Sequence, residues 1–219
     1  EKGFLVVNKP SGLAVHGGSG VSFGLIELLR RHREKTYETL ELVHRIDKET
    51  SGIILIAKKR SILRKLHQYF RDGLIKKKYQ ALLLGHSVED DFIIDQPIQV
   101  DRSNKYRKSI IDPEGLKAIT EFKMVKRFSH ASLFEISPIT GRTHQIRAHS
   151  AFINMPIAGD IRYGIKNDII KKSFGLKRLF LHASEISFPQ FDTSNSNYYF
   201  KADLSEELKD VLLNIKSLD

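Results

Sequence analysis

Phe4 to Val7 is a short apolar run that stops at Asn8-Lys9-Pro10-Ser11-Gly12, and glycines return at Gly17, Gly18 and Gly20. Proline fixes φ and glycine opens the left-handed region, so this pattern predicts a strand entering a long, sharply turned loop. From Ser22 the residues Phe23, Leu25, Ile26, Leu28 and Leu29 form a helical stripe ending in Arg30, Arg31 and Arg33, cations suited to a helix C-terminus. Leu40 to Val43 and Ile53 to Ala57 read as strands, with His44 to Gly52 as a polar connection between them. Ser61 to Phe70 places Ile62, Leu63, Leu66 and Phe70 near helical spacing, and Gly73 is positioned to end that helix.

Further along, Tyr79 to Leu84 reads as a strand, and so do Ala118 to Val125 and Ala131 to Ile136, which meet across the polar turn Arg127 to His130. Asp101 to Lys108 reads as a charged loop. Thr143 to Phe152 is expected to be helical after Gly141. Leu179 to Phe188 and Tyr198 to Ala202 are late strands, and Ser205 caps a closing helix to Lys216 with Glu206 and Glu207 in its first turn. Strands and helices do not alternate in a βαβ rhythm, so the fold class expected is α+β rather than a doubly wound sheet. No internal repeat, low-complexity segment or linker breaks the pattern, and one compact unit is expected.

Composition adds a partner. The chain of 219 residues carries 36 Lys+Arg against 26 Asp+Glu, a net charge of +10, which favours a polyanion, nucleic acid before membrane surface. No apolar run reaches the ~20 residues of a membrane span. The start, Glu1-Lys2-Gly3-Phe4, does not read as a signal peptide, so a soluble, cytoplasmic protein is expected. The absence of cysteine excludes disulfides, thiolate nucleophiles and cysteine-ligated zinc.

Three polar segments interrupt apolar surroundings: His44-Arg45-Ile46-Asp47 with Thr50-Ser51-Gly52, then Lys76-Lys77-Lys78-Tyr79, then Gly141-Arg142-Thr143-His144-Gln145-Ile146-Arg147. Together they supply a carboxylate, a phenol and several guanidiniums. Asp47, between two strands, needs a cationic or hydrogen-bonding partner, and Arg147 is the expected one. An arginine within about 4–6 Å would lower the carboxyl pKa by about 1–3 units and keep it competent as nucleophile or base. The plainer readings are a turn aspartate at Asp47, a half-buried strand tyrosine at Tyr79 and a solvated face for the lysines. His144 and His149 stand five apart without a flanking acid, which is not a metal-ligand spacing, so no metal is proposed. Gly17-Gly18-Ser19-Gly20 lacks the frame of a phosphate-binding loop and reads as a turn.

Seven strings follow in order: Val7-Asn8-Lys9-Pro10-Ser11-Gly12 with Ala14-Val15-His16-Gly17; Leu42-Val43-His44-Arg45-Ile46-Asp47-Lys48-Glu49-Thr50-Ser51-Gly52; Ala57-Lys58-Lys59-Arg60-Ser61; Lys78-Tyr79-Gln80-Ala81-Leu82; Thr140-Gly141-Arg142-Thr143-His144-Gln145-Ile146-Arg147-Ala148-His149; Pro156-Ile157-Ala158-Gly159-Asp160 with Tyr163-Gly164; and Arg178-Leu179-Phe180-Leu181-His182-Ala183. On these the chain resembles the RluA-type pseudouridine synthases over almost its whole length, and within them the group of ribosomal large subunit pseudouridine synthase C. The resemblance implies the pseudouridine synthase fold, a mixed, mostly antiparallel sheet flanked by helices with a central active-site cleft. It also implies an isomerase that converts chosen uridines of large-subunit ribosomal RNA to pseudouridine.

In that likeness Asp47 is the catalytic aspartate acting at ribose C1′, Tyr79 the tyrosine that packs on the flipped base and serves as general base, and Arg147 the partner of the aspartate. Arg45 corresponds to the arginine that enters the RNA stack and Ile146 to an apolar residue lining the base pocket, with Arg142 and His44 counted among the substrate-binding residues. The implied reaction needs neither cofactor nor metal, and the implied partner is ribosomal RNA, met by a monomer. The resemblance leads one to expect a single catalytic domain over residues 1–219, without the S4-type RNA-binding module that members of that group usually carry ahead of it. A catalytically silent RNA-binding relative, and an enzyme of the same fold acting on transfer RNA, stay open at this point.

Overall fold

A computed structural model describes residues 3–18, 23–32, 39–101, 108–192 and 196–218. In chain order the elements are β1 (Phe4–Lys9), α1 (Leu25–Arg31), β2 (Glu41–Leu42), β3 (Ser51–Ala57), α2 (Arg60–Arg71), β4 (Lys76–Leu84), β5 (Asp91–Asp95), β6 (Ile98–Asp101), β7 (Lys108–Ile111), β8 (Ile119–Arg127), β9 (Ala131–Pro138), α3 (Gln145–Phe152), α4 (Ile169–Ser173), β10 (Leu181–Pro189), β11 (Asn197–Lys201) and α5 (Glu206–Asn214). The class is α+β, and the strand pairs are antiparallel in every register the structure gives. Ser19, Gly20, Ser22 and Arg33, and the interior of the predicted 101–108 loop, lie outside the described residues.

The chain forms two compact units, one comprising Glu1–Lys77 and Ala183–Asp203, the other Lys78–His182 and Leu204–Asp219. In the first, β3 is buried at all seven positions, which is why its sequence is a continuous apolar run and not an alternating one. β1 runs antiparallel to it from Phe4↔Ala57 to Lys9↔Gly52, and β2 pairs Glu41↔Ala57. Phe4 meets Phe188, Phe191, Tyr198 and Phe200 edge-on at 5.3–5.8 Å and anchors the core with Leu55, Leu66 and Ile186. Apolar residues on one side of α2 cover that core, and Gly73 ends the helix as its position predicts. Gly73 takes φ +67°, its N–H donates to Phe70 O and the Leu74 N–H to Tyr69 O. These two bonds are those of a Schellman cap.

In the second unit β8 pairs with β9, β9 with β4 (Tyr79↔Ile136 to Leu84↔Ala131) and β5 with β8 (Asp91↔Lys123 to Asp95↔Ile119). Phe92 stacks on Phe122 at 4.9 Å, and Leu82, Phe134, Ile157, Phe180, Leu208 and Val211 are buried around them. The sequence did not predict β5, the β6–β7 hairpin or α4. The hairpin does flank the predicted charged loop, since β6 ends at Asp101 and β7 begins at Lys108.

Gly52, where the polar connection enters β3, has φ +110°, and a Cβ there would stand 2.3 Å from Ala183 O. Strain and overlap act together at this position. Gly52→Ala is expected to cost at least about 2 kcal/mol in urea denaturation; an unchanged midpoint would show that the backbone relaxes freely there.

Candidate active site

The loop from His44 to Thr50 is anchored inward by Ile46, which is buried with Val15, Leu25 and Ile54. Anchoring that one side chain turns Arg45 out to solvent and leaves Asp47 half-buried. The loop's own backbone is then tied down from β1 and the turn after it. Lys9 has no exposed surface, and its ammonium donates to the carbonyls of Pro10 (2.9 Å), Leu13 (2.8 Å) and Lys48 (3.1 Å). Gly12 N–H also donates to Lys48 O at 2.9 Å, Ser11 Oγ donates to Glu49 O at 2.6 Å, and Thr50 N–H closes a turn onto Asp47 O at 3.2 Å. Burying an unpartnered ammonium is costly, and an ammonium with three N–H donors is matched by convergent carbonyls. The Asn8-Lys9-Pro10-Ser11-Gly12 string is thus the clamp of the Asp47 loop. Sequence reasoning gave Lys9 and Ser11 no role, because a lysine in a strand reads as a surface residue.

His44 holds the other end of the loop. Its Nε2 accepts from Leu55 N–H at 3.1 Å beside the ladder bond Val43 N–H to Leu55 O, and its ring lies 5.3 Å from Phe70. Burial, reinforced by the nearby Lys77 charge, pushes the imidazole down to about 3. Burial also lowers Lys77, whose ammonium lies 5.8 Å from the Phe70 ring. The neutral imidazole that results can accept the Leu55 hydrogen bond, so Nε2 serves the loop's backbone.

In the second unit Tyr79 is half-buried in β4 opposite Ile136 and packs on the core, while Lys78 pairs with Glu135 at 2.9 Å. The string at 140–149 is held by its own polar side chains. Gln145 Oε1 accepts from Thr140 Oγ1 (2.7 Å) and Arg142 N–H (2.9 Å), and its Nε2 donates to Ile119 O and Thr120 Oγ1, both at 2.9 Å. One turn on, His149 is hydrogen-bonded to Thr120 Oγ1 (2.8 Å) and Gln96 O (3.0 Å). These two side chains fix α3 to β8 and explain why polar residues are buried on this helix. His144, just before it, takes the left-handed conformation (φ 52°), rare for a residue with a side chain, and its Nδ1 is 3.0 Å from Tyr163 Oη.

Arg147 is buried and grips Asp160 with two bonds, Nε to Oδ2 at 2.7 Å and Nη2 to Oδ1 at 2.8 Å. Asp160 Oδ1 also accepts the N–H groups of Arg162 (2.9 Å) and Tyr163 (3.0 Å). Burial alone would raise this carboxyl, but the Arg147 bonds and charge with the two amides hold it below the ordinary carboxylate range. The guanidinium carbon lies 5.2 Å from the Tyr163 ring centre. Asp160 is a carboxylate that sequence reasoning did not name for Arg147. Its signal was present in the Gly159-Asp160 string, thirteen residues beyond the arginine.

Ile146 is buried in the core of the second unit. Arg142 is exposed, its Nε donating to Lys117 O at 3.0 Å, and it borders a recess of about 790 Å³ lined also by Val100, Ile110, Leu116 and Thr143. The structure therefore brings His44, Arg45, Ile46 and Asp47 together on one clamped loop in the first unit. It brings Arg142, Ile146 and Arg147 together around α3 in the second, which also holds Tyr79. Among the described residues no three His, Asp or Glu side chains converge as a metal-ligand set, and no helix is long and apolar enough to cross a membrane.

Comparison with known proteins extends this picture. The sequence pattern of the family described as RNA pseudouridylate synthase matches residues 3–152. The chain is 46% identical over 217 residues to the ribosomal large subunit pseudouridine synthase C of Buchnera aphidicola subsp. Baizongia pistaciae, covering 97% of this chain and 68% of that protein. It is 47% identical over 185 residues to the Vibrio cholerae protein of the same name, covering 84% and 58%. It thus spans roughly three-fifths to two-thirds of the length of these curated relatives. Among solved structures, human RNA pseudouridylate synthase domain containing 4 superposes with TM-score 0.77 at 26% identity, covering 97% of this chain and 90% of that one. The human domain containing 1 protein shares the fold, with TM-score 0.78 at 23% identity over 99% and 86%.

Two outcomes follow from the local physics. Asp160→Asn removes the charge from a buried pair and is expected to destabilise the protein by about 3–5 kcal/mol; a loss below about 1 kcal/mol in denaturant titration would show the guanidinium to be otherwise accommodated. For His44, an unfolded imidazole titrates near 6.5 whereas the folded one resists protonation down to about 3, so the unfolded state binds more protons in between. Its stabilisation is complete above about pH 6.5 and is lost as pH falls toward 3. His44→Gln, whose Oε1 can accept from Leu55 without titrating, is expected to flatten that decline in the urea midpoint; an unaltered slope would assign the decline to other groups.

Proposed function

The chain belongs to the RNA pseudouridylate synthase family, and from that premise we propose that it isomerises particular uridines to pseudouridine in large-subunit (23S) ribosomal RNA, with Asp47 as the essential carboxylate. The observation that carries this reading is the likeness to ribosomal large subunit pseudouridine synthase C over 97% of the chain, combined with the clamped loop that presents Asp47. Residues 1–219 act in this proposal as one catalytic domain.

The reaction is internally balanced. The bond from ribose C1′ to uracil N1 breaks, the base turns, C1′ bonds to C5, C5 gives up its hydrogen as a proton and N1 ends with one. No electrons are gained or lost. Asp47 assists at C1′, as nucleophile or by stabilising the charge that develops there, and Arg147 is the arginine that the family likeness assigns to it. Tyr79 stacks on the extruded base and receives the C5 proton. Extruding a base from folded RNA costs a few kcal/mol, and a side chain that fills the vacated position offsets part of it. Arg45, turned to solvent beside Asp47, takes that part. Arg142 contributes to RNA binding and Ile146 to the apolar wall of the base pocket. His44 contributes through the loop it holds. The net charge of +10 supplies a sequence-independent grip on phosphates.

Unmodified large-subunit ribosomal RNA incubated with the protein, and mapped for pseudouridine by carbodiimide-based primer extension, tests the proposal beside an Asp47→Asn control. Discrete sites are expected with the parent and a loss of at least about 10³-fold in rate with the variant. An Asp47→Asn protein that modified the RNA as well as the parent would refute the role given to the aspartate.

A further inference from the structure

On α2, Arg60, Arg64, His67 and Arg71 stand at i, i+4, i+7 and i+11, which places them on one helical face. That face is opposite the side on which Ile62, Leu66 and Tyr69 pack on the core. The three arginines are exposed, and among the described residues none is paired with a carboxylate. Arg71 reaches only the neutral Gln68, at 2.5 Å, and no acidic residue occurs anywhere within the helix. Lys65 is the exception that defines the stripe. It points away from it, donating to Phe191 O at 2.8 Å and lying 5.5 Å from the Phe191 ring, so it is used by the fold. The other helix of comparable length, α5, instead intersperses Glu206, Glu207 and Asp210 with Lys209 and pairs Lys209 with Glu206 at 2.7 Å.

The stripe also has a direction. α2 starts just beyond the far end of β3, and at its other end Phe70 touches His44, three residues before Asp47. From Arg60 to Arg71 the helix rises about 16 Å, a length over which one strand of a duplex passes about five phosphates. Guanidiniums held one turn or so apart, with no carboxylate partner among the described residues, suit phosphodiester oxygens better than any neutral ligand. We propose that this face of α2 is a docking surface for the RNA backbone flanking the modified uridine, leading the strand to the Asp47 loop. The proposal rests on the function assigned above and names where the RNA beyond the target base is held.

The test compares R60E/R64E/R71E and the neutral R60Q/R64Q/R71Q with K166E/K171E/K172E, which imposes the same charge change on exposed lysines elsewhere. Binding to an unmodified large-subunit ribosomal RNA transcript is measured across a salt series, with pseudouridine formation followed at low and saturating RNA. The α2 reversal is expected to raise Kd at least tenfold at low salt, with the neutral triple intermediate. The slope of log K against log salt should fall by about 2–3 in magnitude for both α2 triples. KM should rise while the rate at saturating RNA stays within about twofold, and the lysine control should shift Kd less than about threefold. Equal weakening by the α2 and control reversals, or no weakening by the α2 set, would overturn the docking surface. If instead the unmodified protein binds with the expected pattern but forms no pseudouridine, the docking surface stands and the assigned activity fails.

Discussion

A lysine ammonium shut away from water lies beneath the loop that carries Asp47, and the arrangement around it follows from the need to satisfy that group. Lys9 can be buried only if carbonyl oxygens converge on it, and the oxygens that do so come from Pro10 and Leu13 on one side and Lys48 on the other. Pro10 and Gly12 allow the chain to double back far enough to bring the first two into range. Ser11 and Gly12 then add two more bonds to Glu49 and Lys48. The half-buried carboxylate at 47 is therefore placed by main-chain contacts on the residues just after it and by the Ile46 side chain just before it. Neither of these supports passes through the carboxylate itself.

The second unit uses the same economy with different groups. Gln145 and His149 meet the polar atoms of Thr140, Thr120, Ile119 and Gln96, so α3 is fixed to β8 by hydrogen bonds where apolar packing alone would permit sliding. Arg147, between them on the helix, is aimed by Asp160, whose own geometry is set by two backbone amides. A buried pair of this kind does little for net stability but a great deal for direction, since a two-bond guanidinium fork allows one orientation.

Elements with strong periodicity were legible in the sequence. β3 is a seven-residue apolar run, α2 has both a clean stripe and its terminating glycine, and β8 and β9 are long enough for their pattern to exceed noise. β5 was not read, because a five-residue segment with an aspartate at each end offers only three apolar positions and one of them, Ile93, faces solvent. β6 and β7 are four residues each, below the length at which alternation can be counted. For the candidate site, the strings identified which segments matter, but local pattern could not supply the partners. Lys9 reaches across 39 residues to Lys48, and nothing in the neighbourhood of either residue announces it. The Gly159-Asp160 string marked Asp160 itself but not its pairing with Arg147, because pairing between a helix and a later turn leaves no periodic trace.

The clamp on the Asp47 loop has a consequence for how such a protein can diversify. Lys48 and Glu49 enter it through their carbonyl oxygens, so the side chains at these two positions carry none of its bonds and are partly or fully open to solvent. Substitutions there change the charge and shape of the rim around the carboxylate while its position stays put. The loop is built as a fixed mount with interchangeable edges, and a lineage can reshape those edges without rebuilding the mount.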